Sequence, residues 1–256
     1  MQLYITAPRL LRALPPLALA AAALLAAPSA HALRPFDGTD AAVVDEGMSE
    51  LELGAGYLRQ TGGRVRTLPA AVLNFGLGYD TELAVEGRLQ SEIDHTGTPY
   101  RTGFNDTQLT LKHVLRKGSL QDGGSGVSVA LECAALLPNY HGDTGGGASC
   151  AGIASQRWDG GVVHFNVGVQ RDRSHRPGQF YSVIADGPED WTVRPVLELT
   201  HEHNADEPRA HGALLGLVWK AAEELAIDAA VRHVHSDGAS LTEFRFGLTW
   251  GFKMGH

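Results

Sequence analysis

The feature that most constrains this chain is the strict two-residue alternation of its last apolar stretch, LTEFRFGLTWGF, Leu241 to Phe252. From Thr242 the even positions read Thr242, Phe244, Phe246, Leu248, Trp250 and Phe252; the odd ones read Glu243, Arg245, Gly247, Thr249 and Gly251. Successive side chains of a β-strand point to opposite faces, so this is a strand between an apolar and a polar environment. Two architectures fit. A soluble sandwich would bury the aromatics in a core, and a transmembrane barrel would turn them to lipid with the charges in the lumen.

The N-terminus narrows the compartment. Arg9 and Arg12 precede an Ala- and Leu-rich run that ends at Ala30-His31-Ala32, the pattern of an export signal with its cleavage site. The run is shorter than the roughly 20 apolar residues of a spanning helix. Residues 1–32 therefore read as a secretory signal peptide, 33–48 as an extended periplasmic leader without regular period, and 49–256 as one β domain.

Strand signals of similar length fill that domain at 50–59, 68–79, 82–92, 107–118, 126–138, 149–158, 162–172, 179–187, 191–203, 209–221, 225–235 and 241–252. That is twelve strands, or ten if the weakly patterned 149–158 and 179–187 are loops. Short turns tend to alternate with longer loops, chiefly 93–106 and the Gly-rich 139–148. With strand directions alternating, Tyr79, Trp191, Trp219, Trp250 and Phe252 fall at periplasmic ends of the apolar faces, and Tyr57, Tyr181 and Phe244 at outer ends. Aromatics gathered at two levels are the girdles of a membrane barrel, whereas a sandwich core places them mid-strand as often. The expected fold is an all-β, antiparallel up-and-down transmembrane β-barrel whose final strand closes against the first.

On the opposite parity lie Glu52, Glu86, Arg88, Lys112, Arg194, Glu198, Asp228, Arg232, Glu243 and Arg245. These are candidate lumen-lining residues, either a salt-bridged plug of a narrow lumen or a polar constriction that selects what passes. Cys133 and Cys150 are a candidate disulfide in an oxidising compartment. His201, His203, His211, His233 and His235 gather at the outer ends of three consecutive strands. They are either a weak metal or pH-sensing cluster or interfacial rings, and no tight ligand spacing such as H-E-x-x-H favours the metal. No cofactor is expected. Nor is an enzyme: there is no G-x-S-x-G elbow, and His164 on the lumen parity has no serine at a suitable spacing. The formal net charge is −8 without clustered Lys and Arg, which excludes a nucleic-acid partner.

The opening LRPFDGTDAAVVDEGMSELELG, with HFNVGVQRD, VRPVLELTHEH and the closing FRFGLTWGF, resembles the MetA-pathway of phenol degradation family of outer-membrane transporter-like barrels. The resemblance spans the whole mature chain on short motifs. It implies a cell outer membrane location, with lipid and lipopolysaccharide around the barrel, and passage or binding of small hydrophobic or aromatic solutes. The aromatic last strand resembles the signal read by the barrel assembly machinery, although here KMGH follows Phe252. Two alternatives stand beside the channel: a structural or adhesion-type barrel with a salt-bridge-plugged lumen, and a soluble periplasmic ligand-binding β protein.

Overall fold

The computed structural model describes residues 34–254 apart from 61, 95, 122, 142 and 143; the export signal expected over 1–32 lies outside the described residues. Twelve antiparallel strands follow one another: β1 (Met48–Gln60), β2 (Gly63–Gly78), β3 (Thr81–Ile93), β4 (Pro99–Arg116), β5 (Ser128–Leu136) and β6 (Gly147–Trp158), then β7 (Gly161–Arg171), β8 (Pro177–Asp186), β9 (Val193–Asn204), β10 (Ala210–Ala222), β11 (Leu225–Ser236) and β12 (Ala239–Lys253). Each pairs with its neighbours in chain order, and β12 returns to β1 to close the barrel.

The closing pair explains why so regular a strand stands last. β1 and β12 are in register from Met48↔Lys253 to Gln60↔Leu241, so neither leaves an open edge. Leu51↔Trp250, Leu53↔Leu248 and Tyr57↔Phe244 share one face, while Glu52↔Thr249, Gly54↔Gly247 and Gly56↔Arg245 share the other.

Burial identifies the faces. Leu215 is 65% exposed, as are large fractions of Phe165, Val169 and Phe246, whereas Glu198 is 0% exposed and Lys112, Asn166 and Asp228 are buried. Polar groups inside and a belt of apolar side chains outside suit a hydrocarbon surround and leave water with the wrong face, which excludes the soluble sandwich.

Two expectations about connections change. β4 is 18 residues long and starts at Pro99, inside the span read as a polar loop, and β2 starts at Gly63. There Ser91 and Thr102 hydroxyls meet at 3.0 Å and Glu92 stands opposite Arg101. Where both faces are polar the alternation vanishes while backbone pairing continues. The connection 117–127 lies at the end that holds Met48 and Lys253, here the near end, so loop length does not distinguish the two ends. Tryptophan does: Trp158, Trp191, Trp219 and Trp250 all stand at the near end, each about half exposed. The weakly patterned 149–158 and 179–187 are full strands, β6 and β8.

Candidate functional site

The inner wall is built by the polar parity of each strand, and what occupies it is the chain's own leader. The described part of the expected leader, residues 34–47, enters at the near end and crosses the lumen to mid-depth. Pro35 lacks a backbone N–H, and the Gly- and Asp-containing run has no alternating pattern, so the leader forms no strand and its backbone is satisfied by wall side chains instead. Val44 N–H donates to Glu82 at 2.7 Å, Ala41 N–H to Ser155 Oγ at 3.0 Å, and Thr39 N–H to Asn166 Oδ1 at 3.1 Å. Asn166 Nδ2 and Gln121 Nε2 donate back to the Thr39 and Ala41 carbonyls at 2.9 Å each. Glu198 accepts the N–H groups of Asp37 and Gly38 at 2.7 and 2.8 Å, together with the Ser182 hydroxyl at 2.7 Å.

Five of the ten lumen candidates, Lys112, Glu198, Asp228, Arg232 and Arg245, meet this segment. Lys112 Nζ donates to Thr39 Oγ1 at 3.0 Å and pairs with Asp40 at 3.4 Å. Asp37 is bridged by Arg232 at 2.5 Å and Arg245 at 2.7 Å; Arg245 also donates to the Pro35 carbonyl at 2.7 Å and pairs with Glu243 at 2.8 Å. Burial opposes the charge on Asp37, but the two guanidiniums outweigh it and hold its carboxyl below the usual carboxylate range. Arg34 pairs with Asp228 at 3.4 Å in a notch between Gly54 and Gly247, where a methyl group on either glycine would strike the guanidinium. At Gly38 an added methyl would meet Ser182 Oγ at 2.6 Å, so a glycine lets the leader come this close to the wall.

The other candidates belong to the wall. Glu52 accepts from Asn74 at 3.0 Å, Arg194 pairs with Asp186 at 2.8 Å, and Arg88 pairs with Asp106 at 3.4 Å. Glu86 is half-buried on the same inner face. At the far rim a polar pocket is lined by Gln90, Glu92, Arg101, Asn105 and His141.

Four features escape a strand-by-strand reading. The inner face of β10 is Gly212, Leu214, Gly216 and Val218, uncharged until Lys220. With Val196, Ala226 and Ala230 from its neighbours, Leu214 and Val218 form an apolar patch on which Phe36 of the leader packs. His164 does have a serine: the β6–β7 register sets Ser155 opposite, with Nδ1 2.8 Å from Oγ. That Oγ also accepts the Ala41 N–H, so the pair anchors the leader. Cys133 and Cys150 are directly opposed on the outward face of β5 and β6, Cα atoms 4.1 Å apart, and bonded. Of the histidines, His201 and His211 come together, Nδ1 atoms 3.3 Å apart, but among the described residues no group of three or more His, Cys, Asp or Glu is placed to hold a metal ion.

No protein-family model and no curated protein matches the chain. Solved structures do. The COG4313 outer membrane channel from Pseudomonas putida F1 aligns with TM-score 0.60 at 10% identity over 86% of this chain and 100% of that one. The NanC porin aligns with TM-score 0.58 at 9% identity over 78% and 98%. The CymD monoaromatic hydrocarbon channel aligns with TM-score 0.50 at 10% identity over 83% and 90%. At such identities the likeness is one of fold.

Proposed function

We propose that this protein is an outer-membrane channel for small apolar or aromatic solutes, whose inner binding surface is covered by its own leader. The observation that carries the reading is Phe36 on the patch of Val196, Leu214, Val218, Ala226 and Ala230, an aromatic side chain held on an apolar surface inside a largely polar lumen. An apolar inner patch is not needed to hold a leader that is already bound by charges, and it suits a solute of the same chemistry as the ring upon it. The likeness to a monoaromatic hydrocarbon channel supports the same solute class. The lumen charges anchor the leader and set the path around it. Residues 1–32 direct export, the aromatic last strand engages the assembly machinery, and lipid and lipopolysaccharide surround the belt.

A Phe36→Ala variant tests this. Purified in detergent, it is expected to bind toluene more tightly than the parent, and Val218→Asp in the same background abolishes the gain. If Phe36→Ala leaves toluene binding unchanged and raises only ion conductance, the conduit is a polar one and the aromatic reading falls. The dense leader contacts favour a second reading, a structural barrel with a permanent plug. Under it, loosening the leader lowers stability and leaves solute flux where it was.

A further inference from the structure

The outer face of the barrel changes character over β8–β12. One cross-strand row is apolar: Phe244, Val231, Leu215, Leu197 and Ala185. Two rows nearer the far rim stand Ser240, His235, His211, His201 and Tyr181. His203 and His233 flank that row, and all five histidines share the parity of the exposed Leu197, Leu199, Leu215 and Val231, so they face outward. Tyr181, His201 and His211 form a connected run of rings, with His201 and His211 centroids 4.6 Å apart and Tyr181 6.0 Å from His201, while His233 Nδ1 meets Thr242 Oγ1 at 3.0 Å.

Depth decides what this surface meets. Trp219 and His211 lie eight residues apart on the outward face of β10. At ~3.3 Å per residue and a tilt of ~40°, that is about 20 Å along the membrane normal, slightly less than an apolar band of ~25 Å. With tryptophan at the near interface, His211 stands just inside the far one, within reach of the headgroups. There the chain offers five imidazoles where aromatic girdles are usual. Histidine is the side chain that gains a second N–H and a positive charge between about pH 5 and 8.

The adjoining strands add no carboxylate to the row. β8 contributes Tyr181 and Gln179, and β12 contributes Ser240 and Thr242, none of them a carboxylate or a cation. The adjoining connections carry Asp206, Glu207 and Arg209 between β9 and β10, and Asp237 between β11 and β12. Glu207 is engaged by Arg176 at 2.5 Å and Asn204 at 3.0 Å.

We propose that this row binds the phosphate groups of lipid headgroups in the leaflet at the far rim, with His201, His211 and His235 as the donors. The inference rests on the placement of the barrel in a bilayer, but not on conduction. The test reconstitutes the purified chain in phosphatidylcholine vesicles, with and without EDTA, and measures by spin label the motionally restricted fraction of phosphatidylglycerol against diacylglycerol. Phosphatidylglycerol, a diester whose charge does not change over this range, is expected to be enriched at the protein near pH 5 and less so near pH 8. The variant His201→Gln/His211→Gln/His235→Gln loses the enrichment while keeping its heat-modifiable gel mobility. Equal enrichment at both pH values, an enrichment that vanishes with EDTA and so needs a bridging divalent cation, or one that survives the triple substitution each overturns the proposal. So does competition by millimolar inorganic phosphate, which would mark an aqueous anion site. Should the variant fail to fold, the pH dependence of the parent alone decides. A protein that does not float with the vesicles fails the membrane reading as well, whereas one that floats without a lipid preference fails this inference only.

Discussion

Glu198 is a single carboxylate on which three donors converge, two of them leader N–H groups. Removing it strands those donors in a buried site, where each unsatisfied group costs about 1–3 kcal/mol. Glu198→Ala is expected to weaken leader docking by about 3 kcal/mol, read as faster proteolysis of the leader in reconstituted protein with the barrel intact. Asp37 gives the pH dependence. Its carboxyl is held below the usual range, so its ion pairs are complete above that range and are lost only as the pH falls through the lowered value. The leader is therefore expected to stay docked in mild acid. A release midpoint that lies above about pH 4 and is unchanged by Asp37→Asn would contradict this. Glu198 was legible in the sequence because it lies on the charged parity of a strand. Asp37, in a segment without period, was not.

Among the elements, β4 and β10 depart most from the pattern that reveals strands. β4 runs past the apolar belt into water, where no face is favoured, and β10 is apolar on both faces because its inner one meets Phe36. β5 and β6 are joined by more than backbone pairing. Their disulfide spans 17 residues around the connection 137–146, and closing a loop of that size stabilises by about 3 kcal/mol in the chain-entropy view. Cys133→Ser/Cys150→Ser is expected to lower the thermal midpoint in detergent without changing the folded gel mobility. An unchanged midpoint would mean that the β5–β6 ladder alone holds that wall. The cysteines were visible as a pair, but the facing register that bonds them follows from the strand order.

For the whole molecule, closure through β1 and β12 leaves no edge from which unfolding can start, and the exterior requires lipid or detergent. The processed protein is expected in the outer-membrane fraction, migrating faster on gels unboiled than boiled; release with the soluble periplasm would overturn the membrane reading. The sequence alone determined the two faces of most strands and so favoured a barrel, of twelve strands or ten, because a two-residue period is written in adjacent side chains and each face answers to one solvent. Only the tertiary structure decided that the leader occupies the lumen, that Phe36 finds β10, that Ser155 meets His164, and which charges pair. The leader contacts of Phe36 and Asp37 join residues more than a hundred positions apart and exist only once closure has set the radius of the lumen, whereas Ser155 and His164, nine residues apart, are brought together by the register of one hairpin.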